Sequence, residues 1–376
     1  MNATGRWGGV KTWTLDVAPR LVARGHAVHL FLRHKDRFAD ACRSHGLSTE
    51  QMTFGPDWNP VAIHRLKQRL ERLRIQVVVT NVSKDNRIAG PAARALGLPI
   101  LQIVGGPGDF TDNPRVRLEQ RRYVTAAIVP AEAVRAAFSR FEWMDIEHRV
   151  AVLHNAVDLE FFKPGIGAGV LRQELGIPDA VPIVMTTGQL TPVKGHDTLL
   201  TALAGLPGPV LALTSRGPEE TRLRTMAQTL GIAERVHFLG FQERARMPLL
   251  LEDADVVVQP SIEEGLPISV LEFMAKGKAI VATRISGIPE AIEHDREGWL
   301  VPPSNPEALR AAIATLLGNP ELRSRLGHAA RARAEAAFGL DTLVRRFEAL
   351  LLRLVAGGRA GGLGATASSS LAGTVV

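Results

Sequence analysis

Short apolar runs alternate with amphipathic segments along the C-terminal half of the chain. The runs have the length and the valine and isoleucine content of buried parallel strands, and the segments between them repeat apolar residues at helical spacing. This alternation predicts an α/β domain with a parallel sheet. The predicted strands are Pro182–Thr187, Val210–Thr214, Val236–Leu239, Val256–Val258, Ala279–Thr283 and Trp299–Val301, and the predicted helices are His196–Leu206, Glu219–Leu230, Ile268–Lys276, Pro306–Leu317 and Pro320–Ala337.

The N-terminal half repeats the same rhythm, so we expect two doubly wound α/β domains. The 376 residues are enough for two domains of ordinary size, and the 45% hydrophobic content is enough for two cores. The predicted strands of this half are Ala27–Leu32, Val77–Thr80, Ile100–Val104, Ala127–Val129 and Ala151–His154, and the predicted helices are Val61–Ile75, Arg87–Leu96 and Ala131–Phe138.

Turn residues and composition divide the chain further. A linker-like segment at Phe162–Gly165 separates a first domain over 1–160 from a second over 166–338. An amphipathic helix over 340–355 follows. The tail over 357–376 is rich in Gly, Ala and Ser, and we expect it to be disordered.

Cysteine usage and hydropathy bound the cellular setting. Cys42 is the single cysteine, which excludes an internal disulfide and fits a reducing compartment. No apolar run reaches the roughly 18–20 residues of a membrane span, and the N-terminus lacks a signal-peptide core. We therefore expect a cytoplasmic protein, either soluble or peripheral on the inner face of the cytoplasmic membrane.

The excess positive charge lies in the N-terminal part. Residues 1–160 hold 23 Lys and Arg against 16 Asp and Glu, whereas the remainder holds 22 against 22. Part of it surrounds the apolar stripe of the predicted helix Val61–Ile75. A solvated helix explains this pattern, and attraction to an anionic membrane surface or acceptor is the alternative. Nucleic acid is disfavoured, because aromatic residues make up only 5% of the chain and no nucleic-acid module is visible.

The most informative segment joins the predicted strand Val256–Val258 to the predicted helix Ile268–Lys276. Its loop holds Glu264 and Gly265, and Glu272 lies on the helix. A helix start offers free N–H groups and positive potential to an anion, whereas carboxylates suit the hydroxyls of a sugar or ribose. A sugar nucleotide has both kinds of group, so it is the ligand that this combination indicates.

Glu264 and Glu272 resemble the glutamate–seven–glutamate motif of the retaining glycosyltransferases of family 4, whose fold is called GT-B. The resemblance implies two Rossmann-like domains that face each other across a cleft, with the helix over 340–355 crossing back to the first domain. It also implies that Glu264 touches the donor sugar and Glu272 the ribose. The backbone of Gly265, Leu266 and Pro267 would lie against the diphosphate.

A structural interpretation of Glu272 stays open beside this one. Ser269-Val-Leu-Glu272 has the spelling of a capping box, with Pro267 just ahead of it. A capping box would explain Glu272 without a ligand, although it leaves Glu264 unexplained.

A second loop supplies the predicted cation. Gly188, Gln189 and Lys194 lie between a predicted strand and helix and resemble the family's glycine–arginine…lysine–glycine loop, which implies that Lys194 meets a phosphate. Gln189 stands where the family usually has arginine, and Arg216, after the next strand, is a candidate compensating cation. Phe241 resembles a residue bordering the nucleotide base; an ordinary strand and turn is the alternative.

Glycine pairs mark the acceptor side of the first domain. Gly8 and Gly9, and later Gly105 and Gly106, resemble loops where glycine lets the backbone approach a ligand. Gly105 stands where many relatives carry a histidine. Met1–Gly5 resembles the exit of a first strand, so we expect the central strand to be missing, at a hydrogen-bonding cost. We hypothesise that the chain starts a few residues late.

The resemblance implies metal-independent transfer of a sugar from a nucleoside-diphosphate sugar to an acceptor hydroxyl, with retention of configuration and no cofactor. Asp253-Ala-Asp255 precedes its strand, so we interpret it as a turn and predict no metal site. Asp112-Asn113 and Trp143 are loosely similar to transferases of lipopolysaccharide core or other cell-surface polysaccharides, which implies a glycan or lipid-linked acceptor. The alternatives are a sugar-nucleotide epimerase, for which no acid–base pair is evident, and a non-catalytic sugar-nucleotide or membrane-binding relative.

Overall fold

The computed structural model describes residues 1, 9–33, 38–109 and 112–358 of the chain. It divides into two compact units, one formed by Met1–Asn155 with the chain from Leu340, the other by Ala156–Gly339. The helix Leu340–Val355, predicted over the same residues, is confirmed and belongs to the first unit. The predictions for Gly8 and for the tail beyond Gly358 lie outside the described residues.

The first unit holds two parallel sheets covered by helices. Strands pair in the order β1-β2 in one sheet and β3-β4-β5-β6 in the other. The strands are β1 His29–Arg33, β2 Ser48–Met52, β3 Val78–Thr80, β4 Ile100–Ile103, β5 Ala126–Val129 and β6 Val150–Val152, and the helices are α1 Gly9–Ala23, α2 Phe38–Ser44, α3 Pro60–Arg72, α4 Ser83–Arg94, α5 Pro114–Arg122, α6 Glu132–Ala137, α7 Ile146–Arg149 and α16 Leu340–Val355.

A cavity lies at the break between these two sheets. Among the described residues, β1 pairs only with β2 and β3 only with β4. The space has a volume of about 270 Å³ and is lined by side chains of β1, β3, α1, α3 and α16. The Met1 ammonium donates to the carbonyl oxygen of Val79, in β3, at 2.6 Å. The break between the two sheets is the position at which the sequence predicts that a central strand is missing.

The second unit is a six-stranded parallel sheet in the order β12-β11-β10-β7-β8-β9, with helices packed against it. Strands β7, β10 and β11 are buried at every residue, which explains their nearly continuous apolar runs. The strands are β7 Ile183–Thr187, β8 Val210–Thr214, β9 Val236–Gly240, β10 Val256–Gln259, β11 Ala279–Thr283 and β12 Trp299–Val301, and the helices are α8 Val170–Leu175, α9 His196–Ala204, α10 Glu220–Thr229, α11 Met247–Glu252, α12 Ile268–Ala275, α13 Ile288–Ala291, α14 Pro306–Gly318 and α15 Pro320–Ala337.

The strand order of the second unit locates its binding edge. From β7 the chain adds strands on one side, β8 and then β9, and from β10 it adds β11 and β12 on the other. Neighbouring β7 and β10 therefore flank the point where the direction of winding reverses. In open α/β sheets, ligands bind beyond the carboxyl ends of the strands at this point. The loops that follow β7 and β10 are thus expected to form the binding site of this unit.

Candidate functional site

The side chain of Lys194, near the end of the loop after β7, folds back toward Gly188 at the start of that loop. Gly188 has a φ of +119°, and an added Cβ would lie 3.9 Å from the Cδ and Cε atoms of Lys194. A single 3-10 turn, Pro192–Lys194, then leads to Gly195 with a φ of +63° and to the start of α9. Both glycines adopt backbone conformations that residues with a side chain disfavour. These conformations direct the Lys194 ammonium back toward the end of β7.

The ammonium of Lys194 contacts the carboxylate of Glu264 on the loop after β10. The same oxygen of Glu264, Oε1, also accepts hydrogen bonds from Ser261 Oγ at 2.8 Å and Gln259 Nε2 at 3.0 Å. The Lys194 side chain is 23% exposed and that of Glu264 is 10% exposed, so the pair is largely withdrawn from water. The structure therefore unites two residues that the sequence predicted separately, one for a phosphate and one for a sugar.

Backbone contacts lock the two loops to each other. The amides of Ile262 and Glu263 donate to the carbonyl oxygen of Val193 at 2.8 and 3.4 Å. An added Cβ at Gly195 would clash with the carbonyl oxygen of Pro260. Lys194 thus reaches Glu264 from a fixed backbone, and Gly195 is required by both its φ and this close approach.

The loops after β8 and β9 bring Arg216 beside this pair of loops. The amide of Leu190, next to Gln189, donates to the carbonyl oxygen of Arg216 at 3.2 Å. The Arg216 side chain lies over Gly240, where an added Cβ would be 3.3 Å from Nε. Gln189, Arg216 and the 57%-exposed Phe241 therefore all reach the surface at one edge of the sheet, and Arg216 is the predicted compensating cation.

The segment from Gly265 to Pro267 is buried and leads directly into α12. Pro267 is the N-cap, and its side chain makes no capping hydrogen bond. Ser269 is the second residue of the helix and not its N-cap, so the capping-box interpretation is wrong. Its hydroxyl donates to Gln259 Oε1 at 2.7 Å. Glu272 lies half-buried on the same helix, and its predicted contact with a ribose stays a prediction.

The predicted acceptor-side glycines lie in the first unit. Gly9 is the first residue of α1 and is exposed. The amides of Gly105 and Gly106 donate to Asp109 Oδ2 at 2.8 and 3.0 Å, so the protein's own carboxylate occupies them. Asn113 caps α5, since its Oδ1 accepts from the amide of Val116 at 3.0 Å. The predicted contact of Gly9, Gly105 and Gly106 with an acceptor stays a prediction.

The aspartates that precede β10, Asp253 and Asp255, accept hydrogen bonds from backbone amides. Asp253 accepts hydrogen bonds from the amides of Gly169, Leu171 and Arg172 at 2.6–3.0 Å, around the start of α8. Asp255 accepts from the amide of Ile183 at 2.8 Å. Within the described ranges, no group of three or more His, Cys, Asp or Glu side chains is placed to hold a metal ion.

His196 lies directly beside the Lys194 loop and is kept neutral. It is 3% exposed, and its Nδ1 has no hydrogen-bond partner in the part of the chain that the structure describes. Burial, helped by the charge of Lys194, lowers the pKa of His196 from 6.5 to about 4. An uncharged imidazole at neutral pH adds no charge to the site.

The stability of the second unit is therefore expected to fall as the pH drops from 6.5 to about 4. The contribution of the neutral imidazole is complete above pH 6.5, because neither state then binds a proton. Below that pH the unfolded chain gains a proton that folded His196 does not, which costs up to about 3 kcal/mol. Urea unfolding across this range should show a flatter dependence of stability on pH for His196→Gln than for the parent chain, and an equally steep dependence would contradict this.

Sequence reasoning did not identify Gln259, Ser261 and Ser269 as site residues. Gln259 ends an apolar strand at 1% exposure, and Ser261 is fully buried two residues later. A buried glutamine at the end of an apolar run is a usable signal, because buried polar groups need hydrogen-bond partners.

Two family models match the chain, one on each unit. The model described as Glycosyltransferase Family 4 matches residues 7–161, and the model described as Glycosyl transferases group 1 matches residues 169–333. The two matches are consecutive and leave only a short connection between them.

Curated relatives are named D-inositol 3-phosphate glycosyltransferase. The protein of Corynebacterium glutamicum is 32% identical over 238 residues, which cover 58% of this chain and 56% of the relative. That of Streptomyces scabiei is 27% identical over 382 residues, which cover 90% of this chain and 85% of the relative. The chain thus spans little more than half the length of the first of these relatives.

The fold is also that of solved glycosyltransferases. The Anabaena protein HepE, solved in complex with UDP, has a TM-score of 0.81 at 23% identity, covering 93% of this chain and 99% of that chain. This likeness concerns the fold, and it confirms the GT-B prediction. From its two matched domain models and this fold, the chain belongs to the family 4 glycosyltransferases.

Proposed function

We propose that this chain transfers a glycosyl group from a nucleoside-diphosphate sugar to an acceptor hydroxyl, with retention of anomeric configuration. The observation that carries the proposal is the contact between Lys194 and Glu264 at the reversal point of the second sheet. A cation and a carboxylate held together there match the two kinds of group on a sugar nucleotide, a diphosphate and sugar hydroxyls. Family membership supports the reaction type.

Lys194 and the start of α12 are proposed to hold the diphosphate. As the diphosphate leaves, negative charge grows on its oxygens, and donors fixed in advance stabilise that charge most effectively. Lysine supplies a point charge, and the first turn of α12, whose N-cap is a proline without a capping side chain, supplies N–H groups and positive potential. Lys194 would then turn from Glu264 to the phosphate when the donor binds.

Glu264 is proposed to bind hydroxyls of the donor sugar, Glu272 those of the ribose, and Phe241 to border the base. Glu264 is acceptor-only when ionised, so it suits hydroxyl donors. The HepE structure contains UDP, which makes a uridine nucleotide the first donor to test. For the acceptor we propose a glycan or lipid-linked saccharide of the cell surface, with an inositol phosphate second because of the relatives' names.

Transfer is proposed to need no metal ion, because Lys194 and the backbone N–H groups at the start of α12 would offset the charge of the diphosphate. A thermal-shift screen against UDP-, GDP-, ADP- and CDP-sugars, with and without EDTA, tests this. One sugar nucleotide is expected to raise the melting temperature, since ligand at 100 times its Kd stabilises by about 2.7 kcal/mol. EDTA should leave the shift unchanged. A shift abolished by EDTA and restored by Mg²⁺ would refute metal independence, and no shift with any sugar nucleotide would refute the donor proposal.

A basic face of the first unit is proposed to attach to an anionic membrane surface. Helix α4 packs against both α3 and α5. The exposed cations on and beside α3 and α5 are Arg65, Arg72, Arg74, Arg115, Arg117, Arg121 and Arg122, of which Arg117 pairs with Asp112. No helix of the described chain is long and apolar enough to cross a membrane. Basic residues near an anionic surface contribute about 1 kcal/mol each at low salt. Sedimentation with phosphatidylglycerol vesicles should fall for Arg65→Glu/Arg72→Glu; equal sedimentation with neutral vesicles would contradict the proposal.

A further inference from the structure

A chain of side-chain hydrogen bonds runs from α12 to Glu264 through Gln259. Ser269 Oγ donates to Gln259 Oε1 at 2.7 Å. Gln259 Nε2 donates to Ser261 Oγ at 2.8 Å and to Glu264 Oε1 at 3.0 Å. Ser261 Oγ donates to Glu264 Oε1 at 2.8 Å. Two neutral donors, Gln259 and Ser261, thus hold the Glu264 carboxylate in addition to the Lys194 ammonium.

The chemistry of the groups fixes the direction of this chain. An ionised carboxylate can only accept, so Gln259 must turn its NH₂ group toward Glu264 and its carbonyl oxygen toward Ser269. Every polar atom of the Gln259 side chain is then used. The side chain of Gln259 is 1% exposed and its amide has all its hydrogen-bond partners. Rotation of the amide would break these bonds without replacing them by bonds to water.

Ser261 is held equally firmly. It is fully buried, and its backbone oxygen accepts from Thr283 Oγ1, at the end of β11, at 2.6 Å. Its hydroxyl accepts from Gln259 and donates to Glu264. Two adjacent strands and α12 therefore converge on one carboxylate oxygen.

We propose that Gln259, oriented by Ser269, is a positioning residue that aims Glu264 at the donor sugar. The inference rests on the proposed function, in which Glu264 binds sugar hydroxyls. The three donors meet the same oxygen, Oε1, which directs the other oxygen of the carboxylate toward the ligand. When Lys194 turns to the diphosphate, Gln259 and Ser261 still hold Glu264 in place.

Gln259→Met tests this directly, because methionine is similar in length and cannot hydrogen-bond an anion. The parent chain is first tested with four pairs of a nucleoside diphosphate and its sugar nucleotide: UDP and UDP-glucose, GDP and GDP-mannose, ADP and ADP-glucose, and CDP and CDP-glucose. The affinities of the variant are then measured for the pair that the parent chain binds. We expect unchanged affinity for the nucleoside diphosphate, about tenfold weaker preference for the sugar nucleotide, and a kcat lowered about 10- to 100-fold. Ser269→Ala should show the same pattern more weakly.

Gln259→Glu gives a pH signature that a packing role would not give. Two facing carboxyl groups share a proton more readily than either alone, so one pKa rises. When protonated, the new carboxyl can donate to Glu264 as the amide did. The kcat of this variant, relative to the parent chain, is therefore expected to recover as the pH falls.

Gln120→Met is the matched control. Gln120 is also a buried glutamine, 2% exposed, and donates to Gln102 Oε1 at 2.6 Å in the first unit. It should lower the melting temperature but leave the affinity ratio unchanged. Parent-like kcat and sugar preference in Gln259→Met, with Glu264→Ala inactive, would overturn the positioning role alone. Parent-like activity in both, or no nucleotide bound by the parent chain, would overturn the proposed function as well.

Discussion

Lys194→Ala and Glu264→Ala are each expected to lower kcat/KM by about 100-fold or more. Without Lys194, the growing charge on the leaving diphosphate loses its nearest cation. Without Glu264, the donor sugar loses the carboxylate that orients it. Steady-state kinetics with the sugar nucleotide from the thermal-shift screen measures both losses.

Both variants should remain folded, which separates chemistry from stability. In Lys194→Ala, the Glu264 carboxylate keeps the hydrogen bonds from Gln259 and Ser261. Lys163→Ala is the matched control, because Lys163 also pairs with a glutamate, Glu160, at the surface of the second unit. It should leave activity unchanged. Near-parental turnover in both site variants would rule out the assigned roles.

Gly195→Ala is expected to destabilise the second unit by about 3 kcal/mol or more and to abolish activity. Alanine at a φ of +63° costs about 1–2 kcal/mol. The added methyl group would also collide with the carbonyl oxygen of Pro260, which joins β10 to the Glu264 loop. Relieving an overpacked contact costs a further 1–3 kcal/mol, roughly, and here it would separate Lys194 from Glu264.

Gly231→Ala isolates the backbone part of this effect. Gly231 has a similar φ of +69°, and no atom lies within 4 Å of an added Cβ. Its cost should therefore be only about 1–2 kcal/mol, with activity retained. Equal losses of melting temperature for the two variants would mean that the contact with Pro260 carries no weight.

Hydrophobic periodicity predicted much of the second unit because its central strands β7, β10 and β11 are buried on both faces. The predicted strand Val210–Thr214 and helix Pro320–Ala337 are confirmed residue for residue. The pattern failed for β2, Ser48–Met52, which was not predicted. This strand is polar and has no fully buried residue, so neither alternation nor an apolar run marks it.

The sequence predicted the two charged residues of the site, Lys194 and Glu264, but not their contact. Lys194 and Glu264 stand in loops whose glycines and flanking strands leave a clear pattern, whereas their contact depends on β7 and β10 being neighbours, which is a property of the whole sheet. Ser269 shows the limit of local patterns. Its spelling matches a capping box, but it is the second residue of α12, and its hydroxyl donates to Gln259 at the end of β10.

The most direct measurement is a crystal structure of the chain with the stabilising sugar nucleotide bound. We expect diphosphate oxygens within hydrogen-bonding distance of Lys194 Nζ and of the backbone amides at the start of α12, and a sugar hydroxyl on Glu264. A nucleotide bound elsewhere, with Lys194 still paired only to Glu264, would contradict the account.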